Sequence, residues 1–382
     1  MSAIDPTWDQ ILAALHNGLE LSRAEASWAM SQILDGATAN DTIKDFLLAL
    51  KKKGETADEV SALVDAMYQK ATLINIPDRA VDIVGTGGDG ANTINISTAA
   101  AIVTTAAGAR TIKHGNRAAS SKSGAADLLQ ALGIEINLGA EAVAECVRKI
   151  GIGFAFAPQF HGAMRHAAAA RKELGVPTIF NILGPLANPA RPQCVAIGVA
   201  RKELLRVVAD VLAARGCEGF VFRGDDGLDE ISLNTTTTVL VLRDHHIREE
   251  IFDPSEIGLQ RVPISALAGG TPEENAAITR GIFAGQESAY REAVLLNAAA
   301  SIAAFKGDTN LGVAQQLANG YVLAKQAVDS GAAAQLVLDS SAVVAGAPAR
   351  VLVACRASDQ CPCCDGPLAR SWRSHAPSVA PA

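Results

Sequence analysis

Hydrophobic residues follow a helical repeat through the first 73 residues of the chain. Apolar positions recur every three or four residues, which is typical of amphipathic helices packed on one side. The clearest run is Trp8, Ile11, Leu12 and Leu15. Pairs with capping-box spacing, Ser22 with Glu25 and Thr56 with Glu59, mark the starts of two of these helices. Residues 1–75 are therefore predicted to form a small helical domain.

After Pro77 the pattern changes to short apolar runs separated by helical stretches. Such runs, bounded by glycine or polar residues, are typical of buried strands. They are Val81–Val84, Thr111–Lys113, Gly153–Ala157, Cys194–Val199, Gly219–Phe222 and Val239–Leu242. Alternation of strands and helices predicts a larger α/β domain with a mostly parallel central sheet over residues 76–339. Helices near 165–190 are expected to pack on the helical domain, and residues 340–382 are expected to form a disordered tail.

Composition and charge exclude several classes of function. The 382 residues carry a net charge of −7 without a basic stripe, so no nucleic-acid partner is expected. No apolar run approaches the roughly 18 residues of a membrane span, and residues 1–10 do not resemble a secretory signal. A cytoplasmic protein is expected. Cys146, Cys194 and Cys217 lie in apolar segments and are interpreted as reduced thiols.

A glycine-rich loop follows the first predicted strand. Gly85-Thr86-Gly87-Gly88-Asp89-Gly90 leads into Asn95-Ile96-Ser97-Thr98 at the start of a predicted helix. Glycines allow backbone amides to approach a polyanion, and a helix N-terminus favours phosphate. The loop matches neither common nucleotide-binding fingerprint. Taken alone, it could also be a simple tight turn.

The second predicted strand ends in a run of polar side chains. Residues 113–121, KHGNRAASS, place two cations, an imidazole, an amide and two hydroxyls around a glycine. Ligands of α/β sheets bind beyond the carboxyl ends of strands, so this loop is a candidate site. Two further features could have a purely structural role. The acidic run from Asp225 to Glu230 could be a surface turn, and Arg171 could be a charge on a helix surface.

Together these segments resemble the anthranilate phosphoribosyltransferase family, which shares its fold with pyrimidine nucleoside phosphorylases. GTGGDGANTINIST (85–98) and KHGNRAASS have the order and spacing of the two signature segments of that family. Further matching segments are 156–166, 171–175, 180–186 and 225–230. The resemblance spans residues 8 to 338. It implies transfer of the phosphoribosyl group from 5-phosphoribosyl 1-pyrophosphate (PRPP) to anthranilate, in tryptophan biosynthesis.

The resemblance also implies a set of binding residues. The PRPP set is Gly85, Gly88, Asp89, Thr93, Asn95, Ile96, Ser97, Thr98, Lys113, His114, Gly115, Asn116, Arg117, Ala118, Ala119, Ser120, Ser121 and Ala125. The anthranilate set is Gly85, Asn116 and Arg171. The metal set is Ser97, Asp229 and Glu230, which would hold two Mg²⁺ ions.

Other roles implied by the resemblance are less direct. No residue is assigned as an acid or base with certainty, although His114 could assist proton loss. Pro158, His161 and Met164 would line the route of the acceptor. No covalent enzyme intermediate is expected, and a homodimer formed through helical-domain faces such as Ile43–Leu50 is implied.

Two rival functions remain at this stage. A pyrimidine nucleoside phosphorylase would use the same architecture, but Arg171 suits an acidic acceptor better than a neutral base. A non-catalytic relative that binds nucleic acid would be expected to show a basic groove.

Several other clusters receive no functional role. Lys51-Lys52-Lys53 is interpreted as a helix end, and His245-His246 as a turn between strands. The spacing of Cys355, Cys361, Cys363 and Cys364 does not fit common zinc sites. A reduced tail, a metal site and a lost natural reading frame all remain open for that segment.

Overall fold

The computed structural model describes residues 6–118, 121–308 and 310–344. Its N-terminal part is a bundle of four helices. They are α1 (Trp8–His16), α2 (Arg23–Leu34), α3 (Asn40–Lys53) and α4 (Ala57–Lys70). Both predicted capping boxes are present, with Ser22 and Thr56 accepting hydrogen bonds from the backbone N–H groups of Glu25 and Glu59.

A seven-stranded sheet forms the centre of the larger domain. Its strands are β1 (Val81–Gly85), β2 (Thr111–Gly115), β3 (Ile152–Phe156), β4 (Cys194–Gly198), β5 (Glu218–Gly224), β6 (Thr237–Arg243) and β7 (His246–Phe252). The spatial order is β3-β2-β1-β4-β5-β6-β7. The first five strands are mutually parallel, whereas β6 and β7 are antiparallel to their neighbours. The predicted mostly parallel sheet is thereby confirmed.

Helices cover both faces of the sheet. They are α5 (Ile96–Ala106), α6 (Ala125–Ala131), α7 (Ala140–Ile150), α8 (Ala157–Phe160), α9 (Ala168–Leu174), α10 (Phe180–Leu186), α11 (Lys202–Ala214), α12 (Pro272–Phe283), α13 (Ala289–Lys306), α14 (Val313–Asp329) and α15 (Ala332–Val344). One core joins α5 and α13 to one face of the sheet. A second core joins the four-helix bundle, α10 and α11 to the other face. The bundle and one face of the α/β domain therefore share the second core.

The structure differs from the sequence predictions in three places. Strand β7 was not predicted, because its exposed edge position allows a polar sequence without an apolar run. Helix α15 continues to Val344, beyond the predicted boundary at 339. The proposed dimer face on α3 is wrong as stated, since Ile43 and Leu50 are buried within the bundle and Leu48 faces outward.

Other sequence predictions fall on specific parts of the structure. Cys146, Cys194 and Cys217 are free thiols, and Cys146 and Cys194 are buried. The four cysteines of the tail lie outside the described residues, as do Ala119 and Ser120 of the predicted donor site. In the part of the chain that is described, no helix is both long and apolar enough to cross a membrane.

Candidate active site

The predicted phosphate loop lies where the strand order of the sheet reverses. Strand β1 has β2 on one side and β4 on the other, although β4 follows β3 in the chain. The carboxyl ends of strands at such a switch point form a crevice in α/β sheets. Gly85 at the end of β1 is paired in register with Gly198 at the end of β4. The loop therefore opens into the crevice from the centre of the sheet.

The paired glycines make room for Asp229. A Cβ atom on Gly198 would overlap the backbone carbonyl of Asp229, and one on Gly85 would overlap its carboxylate. The backbone N–H of Gly87 donates to Asp229 Oδ2 at 2.6 Å. Gly87, Gly88 and Gly90 all have positive φ, a conformation that side chains disfavour. Close approach to Asp229 and an unusual backbone thus explain why this segment is so rich in glycine.

Replacing Gly198 with alanine is expected to displace the backbone of Asp229 and so to disrupt the site. The added methyl group would meet a backbone atom that cannot rotate away, so a loss of unfolding free energy of about 3 kcal/mol is expected, the upper end of the usual range for overpacking. Urea unfolding together with kcat/KM measures the effect. Gly139→Ala is the matched control, because a Cβ there meets nothing within 4 Å. Equal stability of the two variants would contradict the proposed packing.

Helix α5 begins six residues after the end of the glycine loop, and its first turn contacts Glu230. The backbone N–H of Ser97 donates to Glu230 Oε1 at 3.1 Å. The N-cap residue Asn95 makes no side-chain cap. Its side-chain amide instead donates to the carbonyl of Ser123 and accepts from Asn275. Glu230 therefore occupies the position at the helix N-terminus that favours an anion.

The remaining residues of the predicted α5 segment divide between site and core. Ile96 and Thr98 are 1% and 2% exposed, so their side chains are unsuited to ligand contact. Only the backbone groups of these two residues are therefore candidates for ligand contact. Thr93 lies between the loop and α5, where it forms an isolated bridge with Ala268. This bridge joins the donor loop to the segment that precedes α12.

Lys113 lies in the middle of β2 and is buried beneath the loop. Its ammonium group donates to the carbonyl of Ile83 at 2.5 Å and lies 3.3 Å from Ser97 Oγ. Burial lowers the pKa of Lys113, while the nearby carboxylates of Asp82 and Glu230 oppose that shift. The lysine is thus an internal positive charge between β1 and the acids.

The loop after β2 is held by a residue that the sequence analysis did not assign. Asp127 accepts hydrogen bonds from the backbone N–H groups of Ala118 and Gly124, and it pairs with Arg117 at 2.8 Å. Gly115 lies directly against Ala125, and the side chain of Asn116 accepts from the N–H of Arg117. Ser121 donates to the carbonyl of Ser123. An acid three residues after Gly124 was the available signal, since that spacing marks a helix start.

Asp229 and Glu230 form the acidic part of the crevice. Both are buried, with exposures of 8% and 7%. Burial, reinforced by the charge of Asp89, raises the pKa of Asp229 to about 7. Burial and the charge of Asp229 hold the pKa of Glu230 well above its ordinary value. Desolvated carboxylates that repel one another favour a hard cation, which would neutralise them.

This donor set fits Mg²⁺ better than a metal with many protein ligands. Across the described ranges, no group of three or more His, Cys, Asp or Glu side chains is arranged to hold a metal. Mg²⁺ commonly uses one or two carboxylates and completes its shell with water and phosphate oxygens. The pair Asp229 and Glu230, with the hydroxyl of Ser97 nearby, matches that requirement.

The first two acids of the 225–230 segment have a structural role. Asp226 accepts from Ser232 Oγ at 2.7 Å and from the N–H of Leu228. Asp225 accepts from Thr236 and Thr238 at the surface. The turn that these contacts stabilise brings the next two acids into the crevice.

Arg171 lies on α9, within residues 168–186 (the α9–α10 arm), which pack against the helical bundle. Its guanidinium group is 5.1 Å from the ring centre of Phe180. Within the described part of the chain it forms no ion pair or hydrogen bond with the donor-pocket residues, and burial lowers its pKa. The arm meets the glycine loop, because Pro177 and Asn181 lie against Gly88. A half-buried guanidinium without an acidic partner is suited to a carboxylate from outside the chain.

Two histidines pack beside α10. The rings of His114 and His161 are 5.2 Å apart. His114 Nδ1 is 2.9 Å from the carbonyl of Gly184, and His161 Nε2 is 2.8 Å from the carbonyl of Ala187. Burial, with a smaller effect from His161, lowers the pKa of His114 to about 3. His114 is therefore neutral with its proton on Nδ1, and its buried Nε2 has no partner among the described residues.

The buried state of His114 predicts a specific effect of acid on stability. Because the pKa of His114 is lower in the folded protein, the unfolded chain binds more protons between pH 6.5 and about pH 3. The free energy of unfolding therefore decreases as the pH is lowered through that window. At pH 5 the loss is about 2 kcal/mol relative to pH 7. His114→Asn should remove this part of the slope when urea unfolding is compared at both pH values. Identical slopes for wild type and variant would contradict the assignment.

Phe180, Asn181 and Asp82 complete the set of residues that were not assigned from sequence. Asp82 is buried, and its carboxylate accepts from Asn188 at 2.8 Å and from the N–H of His114 at 3.3 Å. A single acid inside the apolar run of β1 was the available signal. Asn181 accepts from the N–H of Thr178 at 3.1 Å and thereby shapes the arm beside the loop. The sequence pattern gave no sign that this arm would reach Gly88.

Comparison with known proteins assigns both domains. Residues 9–71 match the family model described as "Glycosyl transferase family, helical bundle domain", and residues 77–334 match "Glycosyl transferase family, a/b domain". The chain is 52% identical over 331 residues to anthranilate phosphoribosyltransferase of Rhodococcus jostii, which covers 87% of this chain and 91% of that protein.

Two solved structures show the same arrangement. Anthranilate phosphoribosyltransferase from Thermus thermophilus matches with a TM-score of 0.81 and 38% identity, over 88% of this chain and 99% of that one. The enzyme from Saccharomyces cerevisiae, solved in complex with PRPP and Mg, matches with a TM-score of 0.79 and 30% identity, over 88% and 98%. The protein therefore belongs to the anthranilate phosphoribosyltransferase family of glycosyl transferases.

Proposed function

We propose that this chain carries out the reaction of its family in the crevice between the glycine loop and the α9–α10 arm. The reaction transfers the phosphoribosyl group of PRPP to anthranilate and gives N-(5-phosphoribosyl)anthranilate and pyrophosphate. It is the second step of tryptophan biosynthesis from chorismate. The observation that carries the proposal is that one crevice combines two buried acids, Asp229 and Glu230, with Arg171, which has no acidic partner among the described residues.

The donor is bound by the glycine loop, the start of α5 and the loop after β2. Backbone amides of Gly88 and Gly90, and the N–H groups in the first turn of α5 other than that of Ser97, which donates to Glu230, bind phosphate oxygens. Lys113 contributes a buried positive charge next to Ser97. Arg117 lies at the outer side of the pocket, where Asp127 holds it. These groups are fixed before the donor arrives, so little reorganisation is needed as charge develops on pyrophosphate.

Mg²⁺ is the metal of this reaction. When bound, it would neutralise charge on the diphosphate leaving group. Asp229 and Glu230 would hold the metal directly or through water, and the Ser97 hydroxyl would be a ligand of a second ion. Two ions per site are expected from the resemblance to the family.

The acceptor is bound by its carboxylate at Arg171. Phe180 beneath the guanidinium group fixes the plane of the arginine fork. Asn116 and the backbone of Gly85 place the amine near the anomeric carbon. The amine is neutral, and its proton becomes acidic only after attack, so a strong base is not required. His114 Nε2 can accept a hydrogen bond from the amine because its Nδ1–H is bound to Gly184.

An activity assay separates this function from its rivals. Purified protein incubated with PRPP, Mg²⁺ and anthranilate should consume anthranilate, which is measured as a decrease in anthranilate fluorescence. A parallel reaction with thymidine or uridine and inorganic phosphate should release no free base. Release of base without loss of anthranilate would instead favour a nucleoside phosphorylase. Tight binding of duplex DNA without either activity would favour the nucleic-acid-binding alternative.

The assembly and location complete the proposal. A cytoplasmic homodimer formed through the helical bundle is expected, with exposed Leu48 on α3 as one candidate contact in place of the buried face. Light scattering at micromolar concentration should give twice the mass of the 39.5 kDa chain. A monomer mass would overturn the dimer and leave the proposed reaction untouched.

A further inference from the structure

A second cavity lies on the side of the sheet away from the glycine loop. It has a volume of about 360 Å³ and is formed by α4, α10, the 188–193 loop and the segment after α11. It opens near the amino ends of β1 and β4, where the helical bundle meets the α/β domain. This volume is within the range of about 300–1,000 Å³ that is common for small-molecule sites.

The cavity combines an apolar wall with two guanidinium groups. Pro185, Leu186, Val195 and Leu212 form the apolar side. On the other side, Arg191 and Arg215 lie 4.3 and 5.5 Å from the ring centre of Tyr68. The Tyr68 hydroxyl can donate to the carbonyls of Leu186 and Asn188, at 3.2 and 3.1 Å. The ring is thus anchored as a platform for the two arginines.

The two arginines differ in their partners. Arg215 pairs with Asp65 at 2.9 Å and donates to the carbonyl of Leu186. Asp65 also pairs with Arg23. Arg191 stacks on Tyr68, and in the described ranges of the chain its guanidinium group has no acidic partner. Arg191 is therefore the uncompensated positive charge of the cavity.

Acidic groups of the cavity do not compete for Arg191. Both carboxylate oxygens of Asp82 are occupied, one by Asn188 and the other by the N–H of His114. Asp65 is committed to two other arginines. Gln193 accepts from the N–H of Ala80 through its oxygen, so its amide NH₂ is left as a further donor. The polar side of the cavity thus presents donors, and a ligand that fits it must supply acceptors.

Backbone conformation adds a second sign that Arg191 is held for a purpose other than folding. Arg191 has φ of +48°, a left-handed conformation that is unfavourable for a residue with a side chain. Its N–H is fixed by the carbonyl of Asn188. The 188–193 loop therefore holds the guanidinium group of Arg191 over the ring of Tyr68. It does so with a backbone conformation at Arg191 that is energetically unfavourable. A planar donor fork above an aromatic ring and beside an apolar wall is complementary to a carboxylate with an apolar body.

We propose that this cavity is a second ligand site, separate from the PRPP–anthranilate crevice, which binds a small apolar carboxylate through Arg191. The carboxylate accepts from the guanidinium fork and from Gln193, and the apolar body lies against Leu186 and Leu212. The site does not depend on the proposed reaction. Its ligand is required only to have one carboxylate and a body about the size of one aromatic ring.

The test uses 4-fluorobenzoate as the probe and ¹⁹F NMR titration as the measurement. The full-length Arg171→Ala variant serves as the background, because it removes the proposed acceptor contact for a carboxylate. Saturable binding to this background is expected. Adding Arg191→Gln should raise the dissociation constant roughly tenfold or more, through loss of charge-assisted hydrogen bonds. Adding Arg206→Gln is the matched control, since Arg206 is an exposed arginine on α11 paired with Asp210, and it should change nothing.

Several outcomes would overturn the proposal. These are no saturable binding to the Arg171→Ala background, an equal dissociation constant for the Arg191→Gln and Arg206→Gln derivatives, or equally tight binding of inorganic phosphate through Arg191. The last would show a general anion site. Circular dichroism melting of each variant ensures that only folded protein is compared. Leu212→Trp, which fills the apolar side, gives an independent second variant and should also weaken binding. Failure of the acceptor proposal would appear separately, as unchanged anthranilate kinetics in Arg171→Ala alone.

Discussion

Replacing Arg171 with alanine is expected to raise the KM for anthranilate and lower kcat/KM for it about 100-fold. A guanidinium–carboxylate pair in a partly desolvated site contributes roughly 1.5–3 kcal/mol, and the arginine has no other acidic partner in the described structure that would retain it. The KM for PRPP should change by less than about threefold, because Arg171 lies on the arm and not on the donor loop. Steady-state kinetics with each substrate varied in turn measures both values.

Lys172→Ala is the matched control for this experiment. Lys172 is an exposed cation next to Arg171 on the same turn of α9. Its removal should leave both KM values unchanged. Equal increases in both KM values for Arg171→Ala would show that the residue maintains the arm in general, and the assignment to the anthranilate carboxylate would then be wrong.

Replacing Asp229 and Glu230 together with alanine is expected to abolish most activity and to shift the Mg²⁺ dependence to higher concentration. Loss of two buried carboxylates removes the proposed protein ligands of the metal, so a fall in kcat/KM of about 1,000-fold at millimolar Mg²⁺ is expected. Asp229 also accepts from the N–H of Gly87, so part of the effect will come from the loop. Titration of activity with Mg²⁺ separates the metal effect from the loop effect.

Asp225→Asn provides the control within the same segment. This residue accepts hydrogen bonds from Thr236 and Thr238 at the surface and does not enter the crevice. Its Mg²⁺ titration should match that of wild type. An unchanged metal titration in the double-alanine variant would contradict a role for the two acids as metal ligands, whatever the loss in kcat.

The sequence was sufficient to predict the parts of the site that depend on local pattern. The glycine loop ends a buried strand, and its glycines are needed where Asp229 approaches β1 and β4. Lys113 lies two residues before the end of the neighbouring strand β2, and parallel strands bring their carboxyl ends to the same edge. The acids at 229 and 230 were assigned through the resemblance to the family; Glu230 lies at the start of α5 and Asp229 lies against the glycine loop, and their role as metal ligands stays a prediction.

Other parts could not be predicted because they depend on contacts between distant segments. The approach of Pro177 and Asn181 to Gly88 and the packing of His161 on His114 join residues with no common pattern. Strand β7 escaped prediction because an edge strand tolerates charges on its open side. The dimer face was misassigned because a helical apolar stripe does not reveal whether its partner is the same chain or another. In α3 the partner is the bundle itself.

Isothermal titration calorimetry of PRPP binding tests the phosphate-binding crevice most directly. Titrating PRPP into the full-length protein with millimolar Mg²⁺ should give saturable binding, and the same titration with EDTA should weaken it at least about tenfold. Gly139→Ala, remote from the crevice, should behave as wild type in both titrations. Absence of Mg²⁺-dependent PRPP binding to folded wild-type protein would contradict the proposed roles of the glycine loop, Asp229 and Glu230.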